Sequence, residues 1–286
     1  MEYITLNTGA KIPQVGFGVF QIRDIEECKR VVLDAIKAGY RLIDTAASYG
    51  NEEAVGAAIK EAIDEGLVTR GELFITSKMW VSDMRNYEDA KKAIDTSLSK
   101  LGLEYLDLYI LHQAMADYFS AYRALEDAYK EGKLKAIGVS NFFPAILANL
   151  CEIVEVKPAV NQVELHPFFA QEAALENMAR YGVAPEAWAP LAEGKHGIFT
   201  HPLLSEIGAK HGKSAAQVAL RWNLQRGVII LPKSTHVERM KQNIDLFDFV
   251  LTAEEMASIS KLTLDHSEII NHFDPQLVSF LLQRKI

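Results

Sequence analysis

Eight short apolar runs, each followed by a longer amphipathic one, constrain this chain more than any other feature of its sequence. In order they are VGFGVF (15–20), YRLID (40–44), LFITSK (73–78), LDLYIL (106–111), KAIGVS (135–140), AVNQVEL (159–165), APEAWA (184–189) and VIILP (228–232). They are rich in Val, Ile and Leu and lack strict alternation, which suits strands of a parallel sheet covered by helices. The segments between them carry helical patterns. Asp24 is a suitable N-cap for IEECKRVVLDAIKA, which Gly39 ends, and Asn51 starts EEAVGAAIKEAIDEG. Eight such units close into a (β/α)8 barrel, so the expected fold is an α/β TIM barrel.

An N-terminal β-hairpin precedes the barrel: YITL and KIPQ joined by Asn7-Thr8-Gly9, with Asn and Gly expected to supply positive φ angles. Two segments fall outside the repeat. One is 190–213. The other is a tail from Leu251, with a short helix TAEEMASISKL and an irregular stretch DHSEIINHFDP. No linker or low-complexity stretch divides the 286 residues, so the expectation is one domain, 1–286.

A net charge of −8 gives no attraction to nucleic acid or an anionic membrane, so neither is an expected partner. Cys28 and Cys151 show no CxxC or metal spacing and read as reduced thiols. The N-terminus lacks a basic segment followed by an apolar run, and no stretch reaches 18 uninterrupted apolar residues. The cytoplasm is therefore the expected compartment. A monomer is the expected state, since no exposed apolar stripe is evident.

Active sites of such barrels sit at the carboxyl ends of the strands. Four residues there fit one reaction: Asp44 ending LID, Tyr49 five residues on, Lys78 ending ITSK, and His112 ending LYILH. Each alone reads as easily as an ion pair or packing; the combination on one face does not. Hydride reduction of a carbonyl needs a proton donor for the forming alkoxide. A tyrosine can serve, but its reference pKa of about 10 is high. A lysine ammonium about 4 Å away would stabilise the phenolate by roughly 4 kcal/mol at an effective dielectric of about 20, or roughly 3 pK units. Burial opposes the anion, so the expected net lowering is smaller. An aspartate would keep the buried lysine charged, and a neutral histidine would hydrogen-bond the carbonyl oxygen.

These residues and their surroundings resemble the aldo-keto reductase family along nearly the whole chain. The similarity is carried by GFGVFQ, YRLIDTAASYGNEEAVG, LFITSKMW, LDLYILH, KLKAIGVSNF, NQVELHP, EAWAPL and LPKSTHVERMKQN, and is nearest to the bacterial 2,5-diketogluconate reductase-like branch. The resemblance implies NADPH-dependent reduction of aldehydes or ketones, with Tyr49 as general acid, Lys78 and Asp44 tuning it and His112 orienting the substrate. It places Ser140, Asn141 and Gln162 against the nicotinamide carboxamide, Trp188 on the ring and Thr45 near the ribose. Pro190, Leu191 and Glu193 fall on a loop over the pyrophosphate. Lys233, Ser234, Thr235 and Arg239 match the site for the adenosine 2′-phosphate, and Gln242 and Asn243 the adenine contacts. A Rossmann site is disfavoured, because Gly16-Phe17-Gly18 lacks the third glycine.

Phe20, Ala47, Trp80 and His112 are the expected substrate contacts, with small aldehydes, dicarbonyls, keto sugars and keto acids all fitting. The tail with His266, His272 and Phe273 reads as a specificity segment. Gln113 and Ala114 depart from the Trp-Pro that many family members carry after the catalytic histidine, which alters the pocket edge. No metal site is expected, since His266 and His272 lack ligand spacing. Two rival readings remain at this stage. One is a non-catalytic nicotinamide-binding redox sensor on the same scaffold. The other is a metal-dependent lyase or hydrolase, against which the lack of a carboxylate/histidine ligand cluster weighs.

Overall fold

The computed structural model describes residues 1–284. It opens with an antiparallel hairpin, β1 (Tyr3–Thr5) and β2 (Lys11–Pro13), in which Ile4 faces Ile12. In its turn only Gly9 has a positive φ, +84°. Asn7 does not, contrary to the sequence reading; its side-chain amide is instead used to donate to the Pro158 carbonyl at 2.9 Å.

Eight parallel strands follow: β3 (Gly16–Gly18), β4 (Leu42–Asp44), β5 (Phe74–Met79), β6 (Leu108–Leu111), β7 (Ile137–Ser140), β8 (Val160–Glu164), β9 (Ala184–Trp188) and β10 (Ile229–Ile230). Each pairs with its sequence neighbours in the order β3 to β10. A parallel bridge between Val15 and Ile230, with Ile230 N–H donating to Gln14 O at 2.9 Å, joins the last strand to the first. Each expected run holds its strand except that β5 runs one residue past LFITSK, to Met79.

The covering helices are α1 (Ile25–Lys37), α2 (Glu52–Asp64), α3 (Tyr87–Leu101), α4 (Tyr118–Lys130), α5 (Pro144–Ile153), α6 (Glu172–Tyr181), α7 (Pro202–His211), α8 (Ala215–Gln225), α9 (Val237–Ile244), α10 (Ala253–Ser260) and α11 (Pro275–Gln283). Asp24 caps α1 by accepting from Glu27 N at 2.8 Å, and Gly39 leaves the helix at φ +104°. Asn51 begins α2 without capping it: its amide donates to Val19 O and Ile22 O, both at 3.1 Å. Helix α7 lies inside the segment 190–213, and α11 extends the tail beyond its irregular stretch. No helix among the described residues is long and apolar enough to cross a membrane.

Alternation along the strands makes two cores. Outward residues such as Ile43, Ile75, Tyr109 and Val163 pack under the helices. Inward residues at the amino ends, including Leu42, Phe74, Leu108, Val160 and Ile229, fill the barrel, and Leu6 and Ile12 from the hairpin close its floor. Burying both faces is what a parallel sheet requires.

Candidate active site

Two residues further along each inward face, the apolar floor gives way to polar groups. Leu42 is followed by Asp44, Phe74 by Thr76 and Lys78, Val160 by Gln162, and Ala184 by Glu186 and then Trp188. His112 and Ser140 occupy the same phase on β6 and β7. The side-chain period of two therefore aims all of them at the carboxyl mouth of the barrel.

Asp44, Tyr49, Lys78 and His112 come together there. Lys78 is fully buried. Its ammonium donates to Asp44 Oδ1 at 2.5 Å, to the Thr45 carbonyl at 2.9 Å and to Tyr49 Oη at 3.2 Å. Three donors with three acceptors leave no ammonium proton unpaired, which a buried charge needs. Burial opposes the Lys78 charge, yet Asp44 and Tyr49 hold its pKa above the ordinary lysine value. Burial likewise pushes Asp44 upward, opposed by the ammonium and by hydrogen bonds from Lys78 and Gln162. With 2.5 Å between the charged atoms, Asp44 and Lys78 form an ion pair.

Tyr49 differs from expectation. Its hydroxyl is held above the ordinary tyrosine range, because burial outweighs the Lys78 ammonium and the Asp44 carboxylate adds to the rise. The sequence reading weighed the lysine correctly in kind but gave desolvation too small a share. Burial, with Lys78 second, holds His112 well below its usual pKa, so the imidazole is neutral near pH 7. Ser48 Oγ lies 3.3 Å from His112 Nδ1. When that hydroxyl donates, the ring carries its proton on Nε2, facing the cleft.

The tetrad forms part of a cleft of about 710 Å³, within the usual range for small-molecule sites. Ser140, Asn141, Gln162 and Trp188 line one wall. They are mutually fixed: Trp188 Nε1 donates to Asn141 Oδ1 at 3.0 Å, Asn141 Nδ2 to Ser140 Oγ at 3.0 Å, and Ser140 Oγ to Gln162 O at 2.8 Å. Asn141 sits at φ +60°, a left-handed conformation asparagine tolerates. Pro190, Leu191 and Glu193 line the cleft from the loop after β9, and Gln21 reaches across to Glu193 at 3.5 Å. That loop is tied to the tail by Lys195 Nζ on Glu268 O at 2.6 Å and by a His196–Glu268 contact of 2.5 Å.

Phe20 and Trp80 line the opposite end, Phe20 with its ring 4.9 Å from Tyr49 and Trp80 with its ring 5.2 Å from His112. Gln113 lines the cleft too, in the place where an indole was noted as missing. Lys233 marks the far end, just beyond β10. Thr45, Ala47, Ser234, Thr235, Arg239, Gln242 and Asn243 are not among the lining residues. Thr45 is fully buried, with its hydroxyl on Asn51 Oδ1 at 2.8 Å. Ala47 is half-buried beside Ser48, which lines the cleft instead. Ser234 closes its own turn by accepting from His236 N at 3.1 Å. Arg239 and Gln242 are exposed on α9, with Asn243 buried on its other face.

Sequence reasoning missed Glu186 on β9, fully buried and accepting from Gln162 Nε2 at 2.9 Å. It also missed Arg284 as a cleft residue, whereas His272, in the tail read as a specificity segment, does line the cleft. For Glu186 the signal was present, since it lies two residues before Trp188 on the same strand face. For Arg284 no sequence period existed to place it.

The fold and site together define the class: a (β/α)8 barrel with a buried ammonium–carboxylate pair beneath a tyrosine, at the carboxyl mouth beside a cleft of about 710 Å³. Comparison with known proteins agrees. The model of the Aldo/keto reductase family matches residues 14–263. The glyoxal reductase of Bacillus subtilis (strain 168) is 46% identical over 265 residues, covering 92% of this chain and 94% of that protein. The methylglyoxal reductase DkgA of Yersinia pestis is 41% identical over 262 residues, covering 91% and 92%. A crystal structure of a Bombyx mori aldo-keto reductase in complex with NADP matches with a TM-score of 0.90 at 38% identity, covering 97% of this chain and 96% of that one. The chain belongs to the aldo/keto reductase family, and it is an oxidoreductase.

Proposed function

We propose that this protein reduces small aldehydes and α-dicarbonyl compounds to alcohols, with NADPH as reductant and Tyr49 as proton donor. The observation that carries the reading is the Asp44–Lys78–Tyr49 chain, with 2.5 Å and 3.2 Å links, ending in a hydroxyl at the cleft beside His112. The substrate class rests on the glyoxal and methylglyoxal reductases among its relatives. Keto sugars and keto acids remain within the same chemistry.

NADPH is the cofactor, and the residues present fit it. Trp188 offers a flat face whose N–H is already satisfied by Asn141. Gln162 commits both amide hydrogens, to Asp44 Oδ2 at 3.0 Å and Glu186 Oε2 at 2.9 Å, leaving its Oε1 as an acceptor for a carboxamide amine. Ser140 and Asn141 complete that wall. Pro190, Leu191 and Glu193 cover the middle of the cleft, and Thr45 supports the ribose region from beneath. Lys233, Ser234, Thr235 and Arg239 would hold the 2′-phosphate, and Gln242 and Asn243 would contact the adenine. Neither Lys233 nor Arg239 forms an ion pair among the described residues, which leaves both cations available.

When bound, NADPH supplies a hydride to the carbonyl carbon. The chain's own residues do the rest. Neutral His112 donates a hydrogen bond to the carbonyl oxygen and orients it between the two rings that flank it, Tyr49 and Trp80. Tyr49 gives its proton to that oxygen as charge develops there. Lys78 then stabilises the phenolate left behind, and Asp44 keeps Lys78 charged throughout. The high resting pKa of Tyr49 keeps it protonated until then. Phe20, Trp80 and the neighbourhood of Ala47 shape the space for the substrate. The whole chain, 1–286, works as one catalytic unit and as a monomer.

The test is loss of the reduced-nicotinamide absorbance with NADPH and with NADH over a panel of aldehydes and dicarbonyls. Turnover with NADPH is expected, and Arg239→Ala should weaken NADPH about tenfold or more while leaving NADH nearly unchanged. Equal affinity of wild type and variant for NADPH would refute the 2′-phosphate assignment. No turnover with any carbonyl would refute the activity.

A further inference from the structure

Glu186 stands in the barrel interior with no assigned task. It is fully buried, and its Oε1 has no hydrogen-bond partner. Its Oε2 accepts from Gln162 Nε2 at 2.9 Å, and the same nitrogen donates to Asp44 Oδ2 at 3.0 Å. A chain of side-chain contacts therefore runs from Tyr49 through Lys78, Asp44 and Gln162 to Glu186. Leaving a carboxyl oxygen buried and unpaired is costly, and an alanine at this position would avoid it.

We propose that Glu186 is a positioning residue that makes the nicotinamide pocket sensitive to the redox state of its occupant: its carboxyl group fixes the Gln162 amide, and in its ionised form it favours the oxidised, cationic ring over the neutral, reduced one. The inference rests on the NADPH-binding reading of this cleft. Burial first, and the Asp44 charge second, push Glu186 up to about 8. Near neutrality the group is thus a neutral acid, and it becomes an anion as pH rises past that value.

The groups facing it from each packed element are few. Asp44 projects from β4 and Thr76 and Lys78 from β5, while Tyr49 lies beyond Lys78. Gln162 projects from β8, and β10 offers Ile229. The Asp44–Lys78 pair is neutral as a unit, and Tyr49 titrates above the ordinary tyrosine range. His112 is held well below its usual value and His272 is lowered to about 4, so both are neutral in the window concerned. Glu186 and Asp44 are linked through Gln162, so a proton lost between pH 7 and 9 belongs to this carboxyl network, and the Glu186→Gln variant tests that Glu186 carries it. By linkage, a ligand that prefers the ionised form must gain affinity as the group ionises, and one indifferent to it must not.

The experiment measures dissociation constants of NADP+ and NADPH by quenching of intrinsic tryptophan fluorescence, from about pH 6.5 to 9.5, in wild type and Glu186→Gln. The ratio of the two constants cancels the 2′-phosphate, which both forms carry. In wild type, NADP+ should tighten relative to NADPH by about fivefold or more across this range, and in Glu186→Gln the ratio should stay flat. A flat ratio in wild type, or the same slope in both proteins, would overturn the proposal. Binding of neither form at any pH would overturn the underlying cofactor reading instead. If Glu186→Gln does not fold, infrared difference spectra of wild type between pH 7 and 9.5 decide. A protonated carboxylic acid band should be lost on raising the pH, and lost at lower pH with NADP+ bound; no such band at pH 7 would sink the idea.

Discussion

Asp44 and Lys78 are both buried, so each depends on the other. Removing one partner of such a pair leaves an unpaired buried charge, which costs about 3–5 kcal/mol. Asp44→Asn and Lys78→Met should each lose that much in urea unfolding. The double variant should be less destabilised than the sum of the two; strict additivity would mean that the pair is not coupled. Glu186 makes stability depend on pH. Burial raises its folded pKa to about 8, well above the ordinary carboxylate range, so the unfolded chain releases its proton first. Stability therefore falls as pH rises from about 4.5 to about 8. Thermal unfolding of Glu186→Gln should be close to wild type near pH 5, exceed it increasingly up to about pH 8 and level off above that. A gap independent of pH would show that Glu186 is ionised throughout. Asp44, Lys78 and His112 could be found from the sequence because each closes an apolar run, and Tyr49 because it lies on the loop that follows Asp44. The rise in Tyr49 could not, because it depends on how much of the ring and hydroxyl is desolvated.

At the scale of elements, the helices approach each other through small residues. A Cβ on Gly56 of α2 would lie 2.3 Å from the Leu101 carbonyl at the end of α3. Backbone cannot yield as a flexible side chain does, so Gly56→Ala should destabilise by about 1–3 kcal/mol despite alanine's better helix propensity. Equal or higher stability by denaturant titration would refute this packing. The strands were legible because Val, Ile and Leu runs bounded by glycine have one reading in a parallel sheet. Helices α7 and α11 were not, since both lie outside the repeat that made the other elements predictable. Their starts carried a signal all the same: His201-Pro202 and Asp274-Pro275 each place proline in the first helical turn. The loop after β9 takes positive φ at Ala189, Ala192, Glu193 and His196, none of them glycine. No propensity scale would predict that, and its anchor on Glu268 lies 73 residues along the chain from Lys195.

The whole molecule arranges its chemistry by depth. Apolar side chains fill the barrel from the hairpin floor upward, a polar layer follows, and the cleft lies above it. That ordering explains why one face of each strand, read in steps of two, carries both the core and the site. It also explains why Lys78 can be charged without water, since Asp44 and Gln162 arrive at the same level from other strands. The proposed adenosine-phosphate end was expected only from resemblance, because its cations, Lys233 in the loop after β10 and Arg239 on α9, are exposed charges that composition alone cannot distinguish from any others.

The central claim is that Tyr49 supplies the proton. It is tested most directly by single-turnover NADPH oxidation in Tyr49→Phe beside wild type, with NADPH affinity measured on the same preparations. The account predicts a rate lower by about a hundredfold or more with cofactor affinity within about twofold, since the phenyl ring keeps the packing and loses only the acid. A Tyr49→Phe enzyme that turns over at a rate near wild type would contradict it.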